Sequence, residues 1–225
     1  MSELIDTTEM YLKSILELEE EGLQPMRARI GERLGQSGPT VSQTVARMER
    51  DGLVTLEDDK TLSFTDYGRE RAVGVMRKHR LAERLLVDII GLDWQDAHDE
   101  ACRWEHVMSE EVERKIAGLV STLDSSPYGL AIPGLAELGL QSNQVNLGTP
   151  ASELADGEYL LSQIGEPLQV DKELLTQLDE LGLLPGSEVR LEDQGVDKFL
   201  IAKGQDEGLL VESDISRHIF LSTTV

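Results

Sequence analysis

Residues 26–51 constrain the fold of this chain most. Two short amphipathic stretches, 26–34 and 39–51, flank Gly35-Gln36-Ser37-Gly38-Pro39, a tight turn with two glycines and a proline. Ile30 and Leu34 share one face of the first stretch, and Val41, Val45 and Met48 one face of the second. Pro39 suits a first helical turn, where a missing N–H costs nothing. Ahead of them, residues 3–21 predict a helix with Tyr11, Ile15 and Leu18 at helical spacing, widened by Leu12 and Leu16 and capped by Asp6 or Thr7. Gly22 and Pro25 break it. After them, Leu53–Leu56 and Thr61–Thr65 around the polar Glu57–Lys60 predict a β-hairpin. Helix, helix, turn, helix, hairpin is the order of a winged helix-turn-helix, whose last helix enters the major groove.

That helix offers the chemistry a groove needs. Gln43 can pair with an adenine edge, and Pro39 or Thr40 can touch a thymine methyl, with Ser37 and Ser42 beside them. Arg27, Arg29, Arg47 and Arg50 can neutralise phosphates. The formal net charge of −22 argues the other way, because DNA attracts basic surfaces. Charge by region resolves this. Residues 24–50 hold five arginines against two glutamates, while residues 150–225 hold 5 Lys/Arg against 16 Asp/Glu.

Beyond the hairpin, Asp66 to about Ile90 predicts one long helix capped by Asp66 and ended near Gly91. Residues 94–120 predict at least one more. Residues 125–150, with Ser125-Ser126-Pro127, Pro133-Gly134 and Gly148-Thr149-Pro150, read as a linker. Residues 151–225 switch to short apolar runs between Gly, Asp and Pro, a small β-barrel or sandwich with a helix near 171–183. No apolar run reaches the ~20 residues that span a bilayer, and the N-terminus lacks a signal-peptide layout. The single cysteine, Cys102, cannot form an internal disulfide, which points to a cytoplasmic protein with no membrane partner.

Two clusters carry metal-ligating chemistry. Cys102, Glu105 and His106 share a helix face at spacings of three and four, and thiolate, carboxylate and imidazole together suit a transition metal. A buried cysteine beside a Glu–His pair would have the same spacing. His79 and Glu83 lie four apart on the long helix, with His98 beyond the turn; they would suit a first-row divalent metal, or form a plain helical ion pair.

The stretches Ile5–Leu12, Ser37–Gly52, Met76–Leu86 and His98–Ser109 resemble the diphtheria toxin repressor and iron-dependent regulator family, closely over residues 1–140 and loosely beyond. The resemblance implies an α+β chain: a winged-helix DNA-binding domain (1–73), a helical dimerisation and metal domain (74–140), a linker (141–150) and an SH3-like small β-barrel (151–225). It implies a homodimer, one or two per palindromic double-stranded operator of iron-uptake and homeostasis genes, activated by ferrous iron at two sites per subunit, with cobalt, nickel, manganese or zinc substituting in vitro. The primary site would be Met10, Cys102, Glu105 and His106. The ancillary site would be His79, Glu83 and His98, with Arg80 and Ser126 sharing a nearby anion. The family's C-terminal domain sends a Glu and, three residues later, a Gln to that site. Asp171 or Glu173 is the expected equivalent here, although Leu174 stands where the Gln would. Because SH3-like folds can hold such segments, that domain is expected to dock on the Pro127–Pro133 stretch in the inactive state. A thioether beside a thiolate favours iron over manganese, and manganese sensing is the alternative signal. A metalloenzyme with Glu83 as base is the rival from another class, and it leaves the winged helix unexplained.

Overall fold

The structure is a computed structural model, and it describes residues 6–141, 145 and 148–223. Helix α1 (Thr7–Glu20) starts where Asp6 accepts from the Thr8 and Glu9 N–H groups. Helix α2 (Arg27–Leu34) and α3 (Gly38–Arg50) follow, the second capped by Ser37, whose hydroxyl accepts from Thr40 N–H. The wing is β1 (Val54–Leu56) paired antiparallel with β2 (Leu62–Phe64). These elements close on a core of Tyr11, Leu12, Ile15, Ile30, Val41 and Met48, the residues whose periodicity predicted them.

Helix α4 (Asp66–Arg84) is capped by Thr65 rather than Asp66; the Thr65 hydroxyl accepts from Gly68 N–H. Gly68 is required there, since a Cβ would sit 1.8 Å from the Leu53 carbonyl oxygen. The helix serves two cores. Ala72 and Met76 join the first, Leu81 and Ala82 the second, so the boundary expected at 73/74 falls inside a shared helix. The run expected to stay helical to Ile90 changes at Leu85–Ile90 to the wider i→i+5 ladder of a π-helix, ending at Gly91. Helices α5 (Trp94–Trp104) and α6 (Glu110–Ala117) complete the middle domain. It leaves Ile89, Ile90 and Leu119 exposed.

Residues 125–140 are packed, not a free linker. Tyr128 is fully buried in the C-terminal core, and its carbonyl accepts from Ile164 N–H at 2.9 Å. Ile132, Leu135 and Leu138 join the middle core. The expected linker 141–150 lies partly outside the described residues. It ends in β3 (Thr149–Pro150), already part of the sheet.

The C-terminal domain is one antiparallel six-stranded sheet, ordered β3, β8 (Ile219–Thr223), β4 (Gly157–Ile164), β5 (Glu188–Gln194), β6 (Asp197–Ala202), β7 (Leu209–Val211). Helix α7 (Lys172–Glu180) packs Leu174, Leu175 and Leu178 into its core, and α8 (Ser213–Ser216) precedes β8.

Candidate metal centre

The long helix α4 aims His79 and Glu83 inward, one turn apart, and their side chains are fully buried 2.7 Å from each other. Helix α5 crosses α4 and brings His98 to Glu83 (3.4 Å) and to His79 (3.2 Å). One turn on, Cys102 Sγ stands 3.6 Å from His98 Nε2. Glu105, just past the end of α5, reaches His79 Nδ1 at 2.7 Å. Ligand atoms of His79, His98 and Cys102 all lie within 4.8 Å of one another. The two sets of residues separated in the sequence therefore meet as one continuous cluster.

Helix α1 closes the cluster from the DNA-binding side. Met10, Lys13, Cys102, Glu105 and His106 line one cavity of about 950 Å³, which opens between α1, α5 and the C-terminal domain. His106 turns its ring to Glu9 of α1, with Nδ1 to Oε2 at 2.7 Å. Lys13 Nζ lies 3.3 Å from Glu105 Oε2 and 3.5 Å from Cys102 Sγ.

The C-terminal domain contributes Glu166, from the short 3₁₀ turn Glu166–Leu168 that follows β4. Its Oε2 is 3.8 Å from His98 and 3.9 Å from His79, and its Oε1 accepts from Arg80 at 3.2 Å. Asp171 and Glu173 were expected here, and the structure places them elsewhere. Asp171 is exposed and caps α7, accepting from Leu174 N–H at 3.0 Å; Glu173 is exposed in the first turn of the same helix. Sequence reasoning missed Glu166, and with it Gln169, buried three residues on. Arg80 and Ser126, expected to share an anion, already have protein partners, although Arg80 Nε is buried without one. Arg80 is held by Glu20 (2.6 Å), Glu166 and the Ala131 carbonyl, and the Ser126 hydroxyl accepts from Tyr128 N–H.

The electrostatics suit a cation. Burial opposes the thiolate, but the charges of Lys13 and His79 outweigh it and bring the Cys102 thiol down to about 5. The same contest brings Glu105 down to about 2, with Lys13 and His79 again prevailing over burial. Burial would lower His98, yet hydrogen bonds to Cys102 and Glu83 raise it to about 9. Glu83 Oε2 and Glu166 Oε2 are buried with no hydrogen-bond partner, a costly state that a cation relieves. Soft sulfur, imidazole and carboxylate on one cluster fit a first-row transition metal.

The nucleic-acid face is separate. Pro39, Thr40, Ser42, Gln43, Arg47 and Arg50 are exposed along α3, as is the capping Ser37. Arg27 and Arg29 are half-buried on α2, and Arg29 donates to the Gln24 carbonyl at 2.8 Å.

The C-terminal domain also touches the DNA-binding domain through His218, whose ring lies 3.7 Å from Glu21. Arg33 already occupies Glu21 at 2.8 Å. Burial, then Arg33 and Arg217, push the imidazole down to about 4. The folded state therefore prefers neutral His218, and its contribution is present above the unfolded value near 6.5 and lost as pH falls toward 4. Unfolding in urea at pH 7 and 4.5 should show wild type losing about 2–3 kcal/mol more than His218→Gln. Equal losses would remove His218 as the cause.

Comparison with known proteins identifies the family. The profile described as "Iron dependent repressor, N-terminal DNA binding domain" matches residues 3–62, and "Iron dependent repressor, metal binding and dimerisation domain" matches residues 65–134. The diphtheria toxin repressor of Corynebacterium efficiens is 58% identical over 193 residues, 84% of each chain. The iron-dependent repressor IdeR of Mycobacterium tuberculosis is 53% identical over 202 residues, covering 85% of this chain and 86% of its own. These relatives are named as repressors, not enzymes. Among solved structures, the manganese regulator SloR superposes with a TM-score of 0.77 at 25% identity, covering 96% of this chain and 98% of its own. A manganese-dependent transcriptional repressor in complex with manganese gives a TM-score of 0.83 at 24% identity, over 97% and 100%, a likeness of fold. With two family profiles spanning its first two domains and relatives above half identical across most of its length, the chain belongs to the iron-dependent repressor family.

Proposed function

We propose that the chain is a ferrous-iron-dependent, homodimeric transcriptional repressor. The observation that carries this reading is the position of the donor cluster, between α1 of the DNA-binding domain and α4 and α5 of the middle domain. Met10, Cys102, Glu105 and His106 would hold the activating metal. His79, Glu83 and His98, with Glu166 in place of Asp171 or Glu173, would hold the second, and Gln169 matches the three-residue spacing expected after that Glu. Bound metal supplies a cation that both domains ligate, so it favours the arrangement in which α1 is drawn to α5. Repression then follows from a population shift, limited by the difference in metal affinity between the two domain arrangements. The exposed Ile89, Ile90 and Leu119 fit an apolar interface between two copies; a Ser121–Asp88 hydrogen bond of 3.4 Å ties their segments together. The sulfur of Met10 and Cys102 favours iron over manganese.

The test is binding to a palindromic operator selected from random duplexes, under anaerobic conditions, with chelator, iron(II) or manganese(II). Wild type should bind only with metal and respond to iron at the lower concentration. Cys102→Ala should weaken binding by about 100-fold or more at limiting iron. Equal binding in chelator would refute metal activation, and a lower threshold for manganese would change the signal but keep the mechanism.

A further inference from the structure

Lys13 brings an ammonium, with three donors and no acceptor, into a cluster whose other side chains can all offer a lone pair to a metal. It follows Met10 by three residues on α1, so both face the same cavity. Its side chain is 8% exposed. Around Nζ stand His79 Nδ1 at 3.1 Å, Glu105 Oε2 at 3.3 Å, Cys102 Sγ at 3.5 Å and Glu166 Oε2 at 3.9 Å. Four donor atoms from three parts of the chain therefore converge on one tethered cation, and they belong to both of the sites assigned above.

We propose that the Lys13 ammonium is a built-in competitor for the metal and sets the concentration at which the chain responds. This rests on the metal reading of the preceding section. The Glu105 carboxylate and the Cys102 thiolate direct their lone pairs at Nζ, and the same lone pairs are the ones a metal takes. A dication and an ammonium on the same donors repel strongly where water is scarce. Metal binding therefore requires Lys13 to leave. The neighbouring cavity gives its four-carbon arm somewhere to go, toward Glu17 on the next turn of α1, which lines the same space. Only molecules with Lys13 displaced are competent for metal, and the apparent affinity falls by that fraction. The ammonium also explains how Glu105, Cys102 and Glu166 stay together: it neutralises a crowd of acidic groups that would otherwise repel.

Cobalt(II) titration of the full chain, read by the thiolate-to-cobalt absorption band, tests this. Lys13→Leu, which removes the charge and adds no ligand atom, should lower the half-saturating cobalt concentration by about tenfold or more, while Lys13→Arg, which keeps a cation, should stay near wild type. Metal should also raise the melting temperature more in Lys13→Leu than in wild type, because the variant lacks the internal counter-charge. Lys13→Ala gives the same comparison if the leucine variant does not fold. Half-saturation in Lys13→Leu or Lys13→Ala equal to or above that of wild type would overturn the inference and leave the metal reading standing. Absence of any thiolate band in wild type, with Cys102→Ala as reference, would overturn the metal reading itself and this inference with it.

Discussion

Replacing Arg80 by methionine should cost about 3–5 kcal/mol of stability in chelator, the range found when one partner of a buried ion pair is removed. Arg80 is 1% exposed and meets three segments at once. It donates to Glu20 of α1, to Glu166 of the C-terminal domain and to the Ala131 carbonyl of the packed connection. Glu20 is 30% exposed and would rehydrate at little cost. Glu166 is 6% exposed and could not. Its remaining cations are Lys13 at 3.9 Å and the two imidazoles at 3.8 and 3.9 Å, beyond hydrogen-bond distance. Methionine keeps most of the volume, so the loss is electrostatic rather than a cavity. Urea unfolding measures it. Two further results separate this account from plain packing damage. Glu166→Leu added to Arg80→Met should recover more than half of the loss, because no buried carboxylate is left unpaired. Added iron(II) should recover part of it in the single variant. A double variant as unstable as the sum of the two single ones would assign the loss to packing.

Arg80 also shows what the sequence could carry. Its place on α4 follows from helical periodicity, and so do His79 and Glu83 beside it. Cys102, Glu105 and His106 were legible from their spacings of three and four, but α5 ends at Trp104, so the one helix face expected to hold all three stops short and Glu105 and His106 stand in the turn after it. The DNA-binding half was legible from helical periodicity too, with a glycine–proline turn marking the break between α2 and α3.

Lys13 and Glu17 were not legible. They lie on the polar side of α1 and read as solvent-facing, yet both are buried, because α5 and the C-terminal domain cover that side. A helix buried on both faces has no sequence signature distinct from an amphipathic one when its second face is lined with charges that find partners. Glu166 escaped for a different reason. It sits in a single 3₁₀ turn after Gly165, where neither a 3.6 nor a 2.0 period applies, and its position is set by sheet pairing far away in sequence. The one usable signal was Glu166 and Gln169 three apart, which satisfies the expected pattern at both positions, as Asp171 and Leu174 do not. The packed stretch 125–140 was concealed by composition. Proline and glycine report local turns correctly, and say nothing about whether Tyr128 between them is buried.

A side chain at Gly129, within that stretch, should open the connection. Gly129 has φ 84°, and a Cβ there would lie 2.0 Å from the Ser162 carbonyl oxygen and 3.0 Å from its carbon, both backbone of β4. Left-handed backbone alone costs a non-glycine residue about 1–2 kcal/mol. The overlap adds to this, because neither the strand nor the turn is the far end of a flexible side chain. Gly129→Val should meet both costs by releasing residues 126–132 from β4. The hydrogen bond from Ile164 N–H to the Tyr128 carbonyl would go first. With it would go the burial of Tyr128, worth about 1.5–3 kcal/mol, and its hydroxyl bond to the Trp94 carbonyl at 2.6 Å. The Tyr128 ring lies 5.0 Å from that of Trp94, so release should change Trp94 fluorescence. A combined cost of about 4 kcal/mol corresponds to roughly a thousandfold shift in the opening equilibrium, read as faster proteolysis between Ser126 and Ile132. Gly204→Ala is the control, since Gly204 has φ 85° and nothing within 4 Å of its Cβ position. It isolates the backbone cost from the clash. Because Glu166 follows β4 by two residues, the released domain should also lose its hold on His79 and His98. Gly129→Val should then bind the second cobalt ion more weakly than wild type while keeping the Cys102 thiolate band. Unchanged protease protection together with unchanged Trp94 emission would mean that the close approach at Ser162 does not hold the connection on the sheet.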